Sequence, residues 1–221
     1  IAEYPGSPVG GALDPAESCP SNPPIEKLEG WNGWGADLEN SRFQPAARAG
    51  LGAADVPRLK LKWAFGFPQT FSVFGQPSVV GGRLFFGSSS GDVYSLDSQS
   101  GCQYWTFRAS STVRTAITAA PLPDGGYAAY FGDTQAFVYA LDAQTGTLLW
   151  KTHIDDHKMA RITGAPKLVA GRLYVPVASG VEEMAAAQQG YPCCTFRGSL
   201  VALDAQSGKQ VWKTYTIPDA P

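Results

Sequence analysis

The chemically most distinctive stretch of the chain is an adjacent pair of cysteines, Cys193 and Cys194, followed closely by Arg197. Thiols react or pair, and a guanidinium group binds anions through a planar fork of N–H donors. Two adjacent cysteines either join in an eight-membered disulfide ring, which persists where its surroundings hold it, or remain free as buried neighbours. The residues themselves leave both states open.

The same stretch ends in a pattern that occurs three times and predicts the fold. Each copy has an aspartate, a glycine four residues later and a tryptophan eight residues later, namely Asp97, Gly101 and Trp105; Asp142, Gly146 and Trp150; Asp204, Gly208 and Trp212. An aspartate that accepts hydrogen bonds within a turn, a glycine with positive φ and a tryptophan lying flat on a neighbour explain these offsets. Four short strands per unit of about 40–45 residues are typical of a β-propeller blade, with a plain antiparallel sandwich as the alternative.

The repeat divides the chain into an extended N-terminal arm, residues 1–30, and part of an all-β propeller, residues 31–221, with blade units at about 70–108, 114–153 and 161–217. The alternating segment Leu59–Phe65 predicts a half-buried, orphan outer strand, whose partner strands should follow residue 221. Propellers need about four to eight blades to close. We therefore expect the chain to be the first part of a larger protein or one of two processed chains, with its remaining blades in the same protein or a second chain.

Composition and charge exclude several classes of function. The chain has 221 residues, of which 44% are hydrophobic, and a net charge of −2, so neither nucleic acid nor an anionic membrane surface is an expected partner. It has no apolar run near the ~20 residues that would span a bilayer. Sequence signatures of covalent haem, a phosphate-binding loop, a dinucleotide fold and an H-E-x-x-H zinc site are all missing.

The four cysteines bear on the cellular compartment. An adjacent pair and two further cysteines fit an oxidising compartment, which predicts a periplasmic or secreted protein, with free thiols in a cytosolic protein as the alternative. Cys19 and Cys102 either pair, and so tie the arm to the first blade, or stay unpaired. The residues favour neither state.

The motif ALDAQTGTLLW resembles the tryptophan-docking repeat of the PQQ-dependent quinoprotein alcohol dehydrogenases, which are eight-bladed propellers carrying pyrroloquinoline quinone (PQQ) on their axis. The third unit is 17 residues longer than the 45-residue period, and its insert holds VEEMAAAQQGYPCC. The segments WNGWGADLENSRFQ, LKLKWAFGFP, VRTAIT and YPCCTFRGSLVALD are most similar to the polyvinyl alcohol dehydrogenase branch. The repeat alone is shared with non-enzymatic propellers, whereas its combination with YPCC and an Arg-Gly pair is much more specific.

This resemblance implies a cofactor site. It implies a disulfide between Cys193 and Cys194 that lies flat on PQQ, and it suggests cationic and hydroxyl groups around the three carboxylates of the cofactor. The candidates for those groups are Arg114, Thr115, Arg161, Thr163 and Arg197, since the first four precede innermost strands of successive blades. Only Thr195 and Phe196 separate the cysteines from Arg197, which is a shorter spacing than in methanol-dehydrogenase-type enzymes.

The resemblance also implies a calcium ion, for which Glu182 or Glu183 is a candidate ligand, although solvated loop charges are the alternative. His157 could contact substrate at the rim or belong to a polar loop. The implied reaction is oxidation of alcohol groups in polyvinyl alcohol or related secondary alcohols, in which a base expected beyond residue 221 takes the hydroxyl proton while hydride passes to the quinone. Because this chain has no haem motif, electrons should pass to a separate acceptor such as a cytochrome c. The alternative function is a non-enzymatic scaffold for protein assembly.

Overall fold

The computed structural model describes residues 18–218, except residues 37, 38, 40, 69, 186 and 192 and the side chains of residues 183 and 185, and it is built from antiparallel sheets. The predicted all-β fold is confirmed. The first sheet has the order β1-β2-β3-β4-β5, with β1 (Gly30–Trp31), β2 (Ser78–Val80), β3 (Arg83–Gly87), β4 (Asp92–Asp97) and β5 (Gln103–Arg108). The second has the order β6-β7-β8-β9, with β6 (Thr118–Pro121), β7 (Tyr127–Gly132), β8 (Phe137–Asp142) and β9 (Leu148–His153).

The third sheet contains the cysteine-bearing insert. Its order is β10-β12-β13-β14, and β11 also pairs with β12. The strands are β10 (Ala160–Arg161), β11 (Lys167–Val169), β12 (Arg172–Ser179), β13 (Ser199–Asp204) and β14 (Gln210–Tyr215). Two four-residue α-helices, α1 (Ala46–Ala49) and α2 (Glu182–Ala185), and one 3-10 helix (Ala53–Arg58) lie outside the sheets. In the described part of the chain, no helix has the length and apolar character needed to cross a membrane.

The hydrophobic core lies between neighbouring sheets rather than within a single two-sheet sandwich. Phe85 and Val93 of the first sheet are buried against Phe131 and Leu141 of the second. A separate cluster joins the second sheet to the third and includes Val138, Leu173, Val175, Val201 and Leu203. The middle sheet is therefore covered on both faces, which explains why β7 and β8 are almost continuously buried.

The repeated tryptophan links each sheet to the next. The indole Nε1 of Trp105 donates to the carbonyl of Ala143 at 3.1 Å, and that of Trp150 donates to the carbonyl of Ala205 at 3.0 Å. The indole also lies on the repeat glycine, since a Cβ added to Gly146 would stand 2.7 Å from Trp105 Cδ2. With φ of +74° as well, this position favours glycine for its backbone conformation and for the close approach of the ring.

The segment Leu59–Phe65 differs in part from the prediction. It contains no strand, and Leu59 and Leu61 are 61% and 85% exposed, so the expected half-burial of these leucines is wrong. An alternating strand is stabilised by its ladder partners, and no described strand pairs with this segment. Its tryptophan nevertheless behaves like the others, because Trp63 donates to the carbonyl of Ser98 at 3.3 Å and lies on Gly101.

The N-terminal arm is tied to the first two sheets. Cys19 and Cys102 form a disulfide, which decides the question that the sequence left open. Further along the arm, Ile25 is buried and its N–H donates to Gln144 Oε1 at 3.0 Å. The arm then adds β1 to the edge of β2. These contacts are long-range and have no local sequence pattern, so they could not be read from the sequence.

Alternation of antiparallel strands gives the sheets two different ends. The turn end carries the three Asp-x-x-x-Gly turns. The loop end carries the connections inside the sheets (residues 88–91, 133–136 and 180–198) and those between sheets (residues 109–117, and residues 154–166, which include the two-residue strand β10). Neighbouring connections at the loop end bond to each other, since the N–H of Val113 donates to Ser88 O at 3.0 Å and that of Ile162 to Asp133 O at 3.1 Å.

Candidate functional site

All the predicted cofactor-binding residues lie at the loop end. Cys193, Cys194 and Arg197 belong to the connection between β12 and β13, which we call the disulfide loop (residues 180–198). Arg114 and Thr115 lie in the connection from the first sheet to the second, and Arg161 and Thr163 in the connection from the second to the third. The strand directions therefore bring residues from three separate connections to one end of the molecule.

The two adjacent cysteines are bonded to each other and face outward. The disulfide between Cys193 and Cys194 is present, as the resemblance implied, so the alternative of two free thiols is wrong. Both residues are exposed, although the loop around them is anchored. On one side, Cys193 Sγ lies 3.8 Å from the carbonyl oxygen of Glu182. The exposed side leaves a sulfur surface on which a flat molecule could lie.

The carboxylate of Glu182 holds the disulfide loop closed from within. Its side chain is buried; Oε1 accepts hydrogen bonds from Thr195 N and Tyr191 Oη, and Oε2 accepts one from Phe196 N, each at 2.9 Å. Desolvation pushes the pKa of Glu182 upward, but the backbone N–H groups of Thr195 and Phe196 and the Tyr191 hydroxyl outweigh it and lower the pKa below its usual value. The group is therefore a carboxylate that already has its hydrogen-bond donors.

His157 supports the same loop from the neighbouring connection. Its Nδ1 accepts from the N–H of Met159 at 3.1 Å, which assigns the proton to Nε2. His157 Nε2 then donates to Thr195 Oγ1 at 2.9 Å, and that hydroxyl is 3.3 Å from Glu182 Oε1. The imidazole also meets the ring of Phe196 edge-on, with 5.4 Å between centroids. His157 is thus part of the support for the disulfide loop, a role that its polar neighbours in sequence did not indicate.

The three candidate arginines are ordered by carbonyls and rings rather than by acids. The Arg114 guanidinium lies over the Phe74 ring at 4.5 Å. Arg161 donates from Nη1 to the carbonyls of Lys158 and Ala160 at 3.1 and 2.9 Å. Within residues 18–218, apart from the gaps in the description, neither these two side chains nor Arg197 has a carboxylate partner.

Arg197 is held against the last strand of its sheet. Its Nε donates to Ile217 O at 3.0 Å and its Nη2 to Pro218 O at 2.7 Å, and the guanidinium lies 3.9 Å from the Tyr215 ring centre. Carbonyls and aromatic faces leave the positive charge without a countercharge. An incoming anion could therefore pair with it.

The two arginine-containing connections are not in the same register. Val113 and Ile162 make matching hydrogen bonds to the preceding loop, and they crowd the matching glycines, Gly87 and Gly132. When Val113 is aligned with Ile162, Arg114 corresponds to Thr163, and Arg161 lies two positions before Thr163. The arginines therefore do not share a blade position, because the second connection is longer and carries its arginine before the point of alignment.

The two candidate threonines differ in how far they are buried. Thr115 is buried, and its Oγ1 accepts from Gly132 N at 3.2 Å, so this hydroxyl bonds inside the second sheet. Thr163 is half-buried. The side chain of Glu183 lies outside the described part of the structure.

The residues that the structure describes do not fit a metal ion on their own. They contain no group of three or more His, Cys, Asp or Glu side chains that could hold one. Glu182, the candidate that is described, has both carboxylate oxygens engaged by N–H and O–H donors. By contrast, exposed disulfide sulfurs and three guanidinium groups without acidic partners fit a flat, polycarboxylate cofactor such as PQQ.

Comparison with known proteins places this geometry in context. The PQQ_2 family model, described as outer membrane protein assembly factor BamB, matches residues 26–220. The chain is 50% identical over 204 residues to a polyvinylalcohol dehydrogenase of Pseudomonas sp., covering 90% of this chain and 31% of the relative. It is 43% identical over 222 residues to the polyvinylalcohol dehydrogenase of Sphingopyxis sp. (strain 113P3), covering 98% and 33%. The chain thus spans about a third of the length of these relatives.

A solved structure has the same fold. The crystal structure of quinohemoprotein alcohol dehydrogenase from Comamonas testosteroni superposes with a TM-score of 0.68 at 23% identity, covering 86% of this chain and 27% of that one. This likeness confirms the predicted β-propeller of quinoprotein type, of which this chain is a part. Together with the relatives, it confirms the resemblance to quinoprotein alcohol dehydrogenases.

Proposed function

The chain belongs to the PQQ_2 family, and from that premise we propose that it forms part of a PQQ-dependent dehydrogenase that oxidises alcohol groups. The observation that carries this proposal is the exposed disulfide of Cys193 and Cys194 at the same end of the sheets as three arginines that have no acidic partner among the described residues. A purely structural loop has no evident need for either feature.

The residues of this chain would bind and orient the cofactor. Arg114, Arg161 and Arg197 would pair with its carboxylates, and the disulfide would lie against its ring face. When bound, PQQ supplies a quinone that accepts two electrons from an alcohol. A calcium ion, if the enzyme uses one, would need ligands in addition to the described residues of this chain.

Substrate and acceptor are proposed from the relatives. Two of them are named polyvinylalcohol dehydrogenase, which favours polyvinyl alcohol or related secondary alcohols as substrate. We also propose a separate electron acceptor such as a cytochrome c, because the two electrons that the quinone takes from an alcohol must leave it before the next turnover. Both disulfides suit an oxidising compartment, which supports a periplasmic or secreted protein.

Reconstitution of the full-length protein tests the proposal. Protein freed of cofactor by a chelator is mixed with PQQ and Ca²⁺, and oxidation of polyvinyl alcohol is followed by reduction of an artificial dye. We expect activity that requires PQQ and that falls at least tenfold in Arg161→Gln, because one charge-assisted hydrogen bond is worth roughly this factor. Arg48→Gln, on the exposed helix α1, serves as the matched control.

A non-enzymatic scaffold is the second candidate, favoured by the description of the family as an assembly factor. Full-length protein with its disulfides intact that neither binds PQQ nor oxidises any secondary alcohol would support the scaffold. It would also overturn the dehydrogenase proposal.

A further inference from the structure

We propose that Glu182 is a positioning residue, which fixes the disulfide loop so that the bonded Cys193 and Cys194 face outward. The proposal rests on the proposed function for its catalytic meaning, whereas its structural part stands on the contacts of the loop alone. It differs from the metal-ligand role predicted from the resemblance.

The corresponding loop of the middle sheet is closed by the same kind of contact. There Asp133 directly follows β7, and its buried carboxylate accepts from Gln135 N, Phe137 N and Tyr139 Oη at 2.9, 3.1 and 2.8 Å. Glu182 likewise accepts from two backbone N–H groups and one tyrosine hydroxyl. A buried acid therefore closes the connection between β7 and β8 in the second sheet, and another closes the connection between β12 and β13 in the third.

The two acids span different distances along the sequence. Asp133 bonds residues two and four positions away, so it closes a short turn. Glu182 bonds backbone N–H groups 13 and 14 positions away, and these belong to Thr195 and Phe196, immediately after the disulfide. The same kind of contact thus joins the start of the long insert to the two residues that directly follow the disulfide.

Independent contacts hold the partners of Glu182 in place. His157 fixes the Thr195 hydroxyl, and the ammonium of Lys158 lies 4.3 Å from the ring centre of Tyr191. Both residues come from the connection between β9 and β10, which is itself held by the 2.6 Å ion pair of Asp155 with Lys213. The disulfide is thereby set at a defined place relative to Arg161, which follows in β10.

Glu182→Gln is the direct test, because an amide keeps the size of the side chain but presents N–H donors where the loop also presents N–H donors. The rate at which a phosphine reduces Cys193–Cys194 is measured in the cofactor-free, full-length protein by alkylation and mass spectrometry. We expect about a tenfold faster reduction than in wild type, because the loop loses charge-assisted hydrogen bonds. The Cys19–Cys102 bond in the same sample should keep its rate.

Asp133→Asn is the matched control, since it makes the same chemical change in a loop without a disulfide. It should leave the reduction rate of Cys193–Cys194 within twofold of wild type. If Glu182→Gln does not fold, Thr195→Val replaces it, because this change keeps the N–H bond to Glu182 but removes the hydroxyl that His157 holds. About a threefold faster reduction is then expected.

Cofactor binding separates the two proposals. Glu182→Gln should weaken PQQ binding about tenfold, and added calcium should not restore it. An unchanged reduction rate, or recovery of PQQ binding at high calcium, would overturn the positioning role. A faster reduction in a protein whose wild type binds no PQQ would keep the positioning role and reject the proposed function.

Discussion

The turn end and the loop end of the sheets are built by different rules. At the turn end, three copies of one turn repeat the same aspartate, glycine and tryptophan offsets, and each tryptophan with a described neighbour bonds to it in the same way. At the loop end, Ser88, Asp133 and Glu182 all close the corresponding connection, but the third connection has expanded to hold a disulfide. The turn end, where the contacts repeat, holds the sheets together. The loop end, where the connections differ in length and content, is the end that could bind a ligand.

The strongest test of this contrast is removal of a tryptophan from the turn end. Trp105→Ala should lower the free energy of unfolding by about 4 kcal/mol, because it empties a buried site between two sheets and leaves the Ala143 carbonyl unpaired. Denaturant unfolding of the full-length protein measures the loss. The exposed Phe43→Ala should change stability by less than about 0.5 kcal/mol. Equal effects of the two changes would contradict the role assigned to the turn end.

The Cys19–Cys102 disulfide should have a similar effect. It encloses 83 positions of sequence, and removing such a crosslink by Cys102→Ala costs about 4 kcal/mol through the entropy of the unfolded chain. Thermal unfolding with and without reductant checks this value. A wild-type protein whose midpoint is unchanged by full reduction would show that the other arm contacts hold the arm without the disulfide.

A glycine substitution separates ring contact from backbone conformation. Gly146→Ala should cost about 3 kcal/mol, because it adds a Cβ against Trp105 to the cost of a positive φ. Gly125→Ala also has a positive φ but meets no atom within 4 Å, so it should cost only about 1 kcal/mol. Urea unfolding of both variants gives the comparison, and equal losses would mean that the indole contact contributes nothing.

The loop end should show the opposite pattern, with ligand binding changed and stability kept. Arg114→Gln should weaken PQQ binding about tenfold while the unfolding midpoint stays within about 1 °C of wild type, since the side chain is exposed. Fluorescence titration and thermal unfolding measure the two quantities. A large fall in the midpoint would show that Arg114 stabilises the fold rather than a ligand.

The smallest expected effect is a dependence on acid at the turn end. Burial raises the pKa of Asp97, but hydrogen bonds from Ser100 and Tyr104 outweigh it and hold the pKa below its ordinary value of 3.8. Hydrogen bonds from Ser207 likewise lower the pKa of Asp204. A carboxylate with a lower pKa in the folded state contributes stability that is present above the unfolded pKa and is lost as the pH falls through the folded one.

The unfolding midpoint should therefore fall as the pH drops below 3.8, and Asp97→Asn should make that fall shallower. The exposed Glu29→Gln should not alter the shape of the curve. An identical pH profile for wild type and Asp97→Asn would show that the turn contributes no acid-sensitive stability.

The repeat made most of the fold predictable from sequence, because local turn chemistry and spacing determine each unit. Asp142, Gly146 and Trp150 encode the turn, its positive-φ position and the indole that docks on the next sheet within nine consecutive positions. The arm was not predictable in the same way. The bond of Cys19 to Cys102 and the pairing of β1 with β2 join distant positions, and no local pattern encodes either.

The candidate site was predictable only in part. The ring disulfide of Cys193 and Cys194 followed from the resemblance, since the two residues by themselves left free thiols open. The anchoring by Glu182 did not, because its partners Thr195 and Phe196 are brought near only by the folded insert. The two exposed leucines before Trp63 are a case in which the sequence pattern was misleading, because alternation predicts burial only where a partner strand is present.

The central claim, that the loop end binds PQQ through the exposed disulfide, is tested most directly by one binding measurement. PQQ is titrated into full-length wild type and into the double variant Cys193→Ser, Cys194→Ser, with protein fluorescence and the thermal midpoint recorded for both. The account predicts saturable binding by wild type, at least tenfold weaker binding by the double variant, and similar midpoints for both proteins. Equal affinities, or no binding by folded wild type, would contradict it.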